Sequence, residues 1–247
     1  MKKIISFVIL GCLLLGCSMV ETAVSTPTPT PEPTNTATPA PTATAVLDQE
    51  TIDQNLYQAA LADNVEGMAE WLAVGADPNW IEPNSDSPLI ILTAARGGLD
   101  TTQLLLDAGA ELKAENRIGF TALHMAAING HVEMIEYLLD AGIDVDTRSE
   151  NSRFHSTPLM NAIQNGQTES VAALIAAGAN LDIPDNHGDP AINWATFNSE
   201  YDALELLLAA GADPNYVNNL GQTPLQFAGG ADTDAGQILV AHGATTE

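Results

Sequence analysis

The chain has 247 residues, with 7 lysines and arginines against 32 aspartates and glutamates, a formal net charge of −25 at pH 7. So large an acidic surplus repels nucleic acid and anionic lipid headgroups; it serves solubility or attracts cations or a basic partner. Both cysteines, Cys12 and Cys17, lie near the N-terminus, so the rest of the chain has no disulfide available and must be held by packing.

Lys2 and Lys3 form a positive n-region, and residues 4–15 form an apolar stretch too short to span a bilayer, which needs roughly 20 residues. It ends in Leu14-Leu15-Gly16-Cys17, which resembles the lipobox of bacterial lipoproteins. That resemblance implies cleavage before Cys17 and a lipid on its thiol, with Leu10-Gly11-Cys12 a weaker second match. Residues 18–46 then alternate Thr and Pro. Proline donates to no ladder and presets an extended backbone, so this is a solvated spacer, reaching at most roughly 90 Å at about 3.1 Å per residue.

From residue 47 onward the pattern turns helical. Thr121-Ala122-Leu123-His124-Met125-Ala126-Ala127 opens a first helix, Gly130-His131 makes a turn, and Met134, Ile135, Leu138 and Leu139 mark the buried face of a second. A closing glycine recurs at Gly75, Gly109, Gly142, Gly178, Gly211 and Gly243. Ser87-Pro88-Leu89, Thr157-Pro158-Leu159 and Thr223-Pro224-Leu225 are further openings. Hydroxyls before proline suit helix starts, and glycine suits helix ends.

The opening, the Gly-His turn, the Leu-Leu-x-x-Gly close and a period near 33 resemble the ankyrin repeat. The resemblance covers residues 47–247 and implies an all-α solenoid of about six helix–turn–helix repeats with β-hairpin fingers. It also implies a protein partner bound through the finger tips and the inner helix face. Residues 142–157 are three residues longer than their counterparts, so that finger should protrude. The second repeat carries one extra residue in or near its first helix, and the first and last repeats read as caps.

No nucleophile motif, phosphate-cradling loop or ordered acid/base pair appears, so an enzyme is not expected, nor a cofactor. His124 and His131 occupy the structural histidine positions of the repeat. His155 and His187 fall in neighbouring fingers without the fixed spacing of metal ligands, and Asp182, Asp185 and Asp189 lack the alternation of a calcium loop. Trp71, Met125, Trp194 and Phe227 are core candidates. Trp80 and Ile81, on the first finger, either pack on the next finger or contact a partner.

Placement of the cations is the most pointed feature. Lys113, Arg117, Arg148 and Arg153 fall in the two central fingers, and Arg96 closes a first helix nearby. With Phe120, Ile128, Phe154 and Trp80 they form the expected partner-binding set; the alternative is that the cations balance local carboxylates such as Glu111, Glu115 and Glu150. The expected protein is a monomer anchored by Cys17 on the extracytoplasmic side of a bacterial envelope, on the outer membrane where two are present. It binds a protein and no nucleic acid. Two other readings are an accessory or protective protein for an envelope enzyme or toxin, and a cell-wall or glycan binder, which would need exposed aromatic platforms.

Overall fold

Helix starts are set by side chains that accept the first free N–H groups. Thr157 Oγ1 accepts from Met160 N–H at 3.4 Å, and Thr223 Oγ1 from Gln226 N–H at 3.4 Å. Asp48, Asn64 and Thr233 do the same for their own helices. The computed structural model describes residues 47–81, 83, 86–150 and 152–246. Cys12, Cys17, the leader and the Thr/Pro spacer lie outside the described residues.

Twelve helices form among the described residues, in six pairs. They are α1 (Gln49–Leu61) with α2 (Val65–Val74), α3 (Leu89–Arg96) with α4 (Leu99–Asp107), and α5 (Ala122–Asn129) with α6 (Val132–Asp140). The second half continues with α7 (Pro158–Gln164) and α8 (Thr168–Ala176), α9 (Ala191–Asn198) and α10 (Tyr201–Ala209), and α11 (Pro224–Phe227) and α12 (Asp234–Ala241). First helices stack on first helices and second on second, so the pairs build two parallel rows. Ala122, Ala126, Ala127, Ala162, Ala191 and Ala195 are buried along the first row. Small side chains let these helices approach more closely than the second helices do from α3 to α7.

Leu105, Leu138, Leu174 and Leu207 take the same place in successive second helices and are fully buried. Burial of each such leucine stabilises by about 1.5–3 kcal/mol. Polar bonds tie neighbouring repeats along the finger side. Asn79 donates to the Gly109 carbonyl at 3.1 Å and accepts from Glu111 N–H at 2.7 Å, and Asn215 links Gly243 and Thr245 in the same way. His131 bridges backwards, its Nε2 lying 3.0 Å from the Ala95 carbonyl oxygen.

All six closing glycines have positive φ, so the helix ends fall where the sequence places them. The fingers, however, are tight reversals and not paired strands. The described residues contain one isolated antiparallel bridge, Ile81 to Pro88, and the second finger closes on two turn bonds, from Asn116 N–H to the Phe120 carbonyl at 2.9 Å and from Gly119 N–H to the Asn116 carbonyl at 2.8 Å. Such short arms leave no length for a ladder.

Two sequence expectations shift. The extra residue of the second repeat does not lengthen its first helix, since α3 and α5 both have 8 residues. It moves the helix start, so that Pro88, with no side-chain cap bond, stands at the N-cap in place of the serine before it. The long finger is folded on itself: the Ser149 hydroxyl lies 2.6 Å from that of Ser152 and donates to the Ser156 carbonyl at 3.0 Å, with Ser149 and Ser156 buried.

Candidate partner-binding face

Each first helix presents one turn of side chains away from the second row. On α3 that turn ends in exposed Arg96, on α5 it holds half-buried Met125 and Ile128, and on α9 it holds Trp194 and Phe197. Trp71 and Trp194 are buried as expected, whereas Met125 and Phe227 are half-buried on this face.

The central fingers carry the cations. Arg96, Lys113, Arg117 and Arg153 are exposed, with no carboxylate within ion-pair distance among the described residues. Arg148 alone of the five is paired, its Nε lying 3.9 Å from Glu150 Oε1, while that same Nε is buried and makes no hydrogen bond. Local charge balance therefore explains Arg148 and leaves the other four unpaired. Ile118, beside Arg117, is one of the exposed large apolar residues.

The aromatic members of the expected set are partly used within the chain. Phe120 stacks on the His124 ring, the planes nearly parallel and the centroids 5.1 Å apart. Phe154 sets its ring at 87° to Trp194 with centroids 5.4 Å apart, and the Arg153 guanidinium lies 5.3 Å from the Phe154 centroid. Trp80 is half-buried and packs on Tyr57 of α1 at 5.7 Å, not on the next finger, while Ile81 stays exposed. Phe120 and Phe154 thus offer a partner one face or edge and not a whole ring.

His124 braces the start of α5. Its Nδ1 accepts from Thr121 N–H at 3.2 Å, so Nε2 carries the proton and points it at the Ser156 carbonyl, 3.3 Å away in the next repeat. Burial pushes its pKa down to about 4, against a smaller upward pull from the Ser156 carbonyl. A neutral imidazole with both nitrogens engaged is a structural part.

The aspartates of the fourth finger close a turn. Asp185 Oδ1 accepts from the N–H groups of His187 and Asp189 at 2.7 and 2.9 Å, and its Oδ2 accepts from the Trp194 indole at 3.2 Å. Asp189 Oδ1 accepts from the amides of Asn193 and Asn218, both at 2.7 Å. Among the described residues no three of His, Cys, Asp and Glu are gathered as metal ligands would be.

Sequence reasoning missed one feature of this face. Phe154, Trp194, Phe197 and Phe227 converge on one cleft, although they are spread over three repeats. The available signal was register: Trp194 and Phe227 hold the same place in successive first helices, and Phe197 lies one turn along from Trp194.

A family model described as ankyrin repeats matches residues 56–149 and 146–218. An ankyrin repeat-containing protein of Treponema pallidum is 29% identical over 138 residues, 56% of this chain and 46% of that protein. A mitochondrial disaggregase of Bos taurus is 28% identical over 151 residues, 59% of this chain and 22% of that protein. The chain thus spans less than half the length of either relative. The crystal structure of the human ASB11 ankyrin repeat domain superposes with a TM-score of 0.70 at 22% identity, covering 82% of this chain and 90% of that one. With the family pattern running through more than half of its length and the helix pairs stacked in the same manner, this chain belongs to the ankyrin-repeat family of protein-interaction scaffolds.

Proposed function

We propose that this protein is a lipid-anchored, extracytoplasmic interaction module, a monomer in itself, that holds a protein partner on its first-helix face and finger tips. The observation that carries the reading is the set of unpaired cations. In a chain with 32 acidic side chains, Arg96, Lys113, Arg117 and Arg153 have no carboxylate partner among the described residues. An acidic patch on a partner meets attraction there and repulsion elsewhere. The lipobox-like sequence ending at Cys17 supports the anchor, and the Thr/Pro spacer supplies reach.

Affinity capture from envelope extract with the full chain, followed by binding kinetics on the retained partner, tests the face. Reversing Lys113 and Arg117 together, by Lys113→Glu and Arg117→Glu, is expected to slow association by roughly tenfold at low salt and to flatten its salt dependence. Unchanged rate and salt slope, or amide protection confined to the second helices, would overturn it.

For the anchor, metabolic labelling with an acyl analogue is the measurement. Cys17→Ser should abolish incorporation and Cys12→Ser should leave it intact, because only a thiol accepts the acyl-glycerol group. Equal labelling of the Cys17→Ser protein would refute the assignment.

A further inference from the structure

The aromatic cleft has a chemistry of its own. Phe154, Trp194, Phe197 and Phe227 wall a cavity of about 180 Å³. Small-molecule sites begin at roughly 300 Å³, so this volume suits a single side chain. Phe197 stands 73% exposed, a large apolar surface that packing within the chain does not explain.

Two independent observations define what would fit. Asp185 and Asp189 line the cleft, and every hydrogen bond they accept comes from a neutral backbone, indole or amide donor. Their negative charge stays uncompensated, apart from His187, whose Nδ1 lies 3.7 Å from Asp185 Oδ2. Asn193, only 1% exposed, donates its amide to Asp189, yet its Oδ1 is buried without a hydrogen-bond partner. An orphaned acceptor in a cleft is stabilised by an incoming N–H donor. Aromatic faces are negative and attract cations within about 6 Å of their centroids.

We propose that this cleft receives a basic side chain, arginine or lysine, from the protein partner. Cation, carboxylates and ring faces then compensate one another, and the side-chain N–H groups supply the donor that Asn193 lacks. A planar guanidinium has the further advantage of stacking on a ring while directing its N–H groups in plane. The chain's own Arg153 reaches the Phe154 ring but is not among the residues lining the cleft. Arg117 and its neighbours on one part of the face, and this acidic aromatic cleft on another, would set the orientation of a partner carrying both signs of charge.

The proposal rests on reading this face as a partner surface, but small peptides test it separately from the capture. The full chain in detergent is titrated at pH 7.5 with acetyl-Gly-Arg-Gly-amide and its lysine counterpart, against citrulline and norleucine peptides as neutral controls. The readout is the Trp194 indole N–H signal, one of three indoles in the chain. Saturable shifts with the two cationic peptides, at least fivefold weaker with the neutral ones, are expected. Phe197→Ala removes a wall that the fold does not need, and Asp189→Asn removes charge while keeping the oxygen that accepts from Asn193 and Asn218. Each should weaken the arginine peptide by three- to tenfold. Equal binding of citrulline, unchanged affinity in both variants, or response only to a neutral oligosaccharide such as chitotriose would overturn the proposal. Failure here with retained capture would remove the cleft and leave the face; loss of capture in the Lys113 and Arg117 reversal with no peptide binding would do the same.

Discussion

Gly142→Val is expected to lower the unfolding free energy by about 2–3 kcal/mol, read as a fall in the urea midpoint at unchanged slope. Gly142 holds φ at +97°, where a β-branched residue is strongly disfavoured. The helix end depends on that conformation. Gly142 N–H donates to the Leu139 carbonyl at 3.0 Å and Ile143 N–H to that of Leu138 at 3.2 Å, which turns Ile143 back into the core beside Leu138. A Cβ at this position would meet nothing within 4 Å, so the cost is conformational and not steric. Gly142→Asn therefore makes the control, since asparagine enters this region far more readily, and it should retain most of the stability. Because solenoid contacts run between nearest neighbours, hydrogen exchange should quicken in α3 to α8 and hardly change in α12. A midpoint equal to wild type, or an asparagine variant as weak as the valine one, would contradict the account.

Stability should also fall steeply between pH 6.5 and pH 4 through one residue. His124 has a pKa of about 4 in the fold, against an ordinary 6.5 in the unfolded chain. Between those values the unfolded chain binds a proton that the folded chain refuses, so the stabilising contribution is complete above pH 6.5 and lost as pH falls to about 4. Each pH unit across the window weighs about 1.4 kcal/mol, on the order of 3 kcal/mol in all. The physical cause is visible at both ring nitrogens. Protonating Nδ1 would set an N–H against Thr121 N–H, and a buried imidazolium has no carboxylate partner among its bonds.

His124→Gln removes the titration and keeps the cap, for the sixth repeat already uses this arrangement: Gln226 Oε1 accepts from Thr223 N–H at 3.0 Å. Chemical melts of both proteins at several pH values isolate the effect, since every carboxylate titrates in both. The wild type should lose one proton's worth of slope more than the variant over this window. Parallel curves would show that His124 does not titrate as described.

Much of this protein is local and therefore legible in the order of its residues. Helix starts at Thr157 and Thr223, helix ends at Gly142 and its five counterparts, and the bond between His124 and Thr121 depend on atoms within a few positions of one another. Repetition then reveals them by adding the same signal at each period. Proline at position 88 shows where this logic weakens, because one added residue left both helix lengths intact and shifted the cap instead.

What the sequence could not place is which side chains meet across repeats. Phe120 and Phe154 are alike on paper as exposed finger aromatics, yet the fold stacks one on His124 and turns the other onto Trp194. Their directions follow from how far each finger reverses and how closely the first helices approach, quantities set by packing over the whole stack. The same stacking gathers Phe197 and Phe227 with Asp185 and Asn193 into one cleft. Period and capping are properties of short segments and were readable from the chain alone; convergence belongs to side chains separated by a full repeat or more, and the tertiary structure alone decided it, because close packing of neighbouring repeats fixes where each one points.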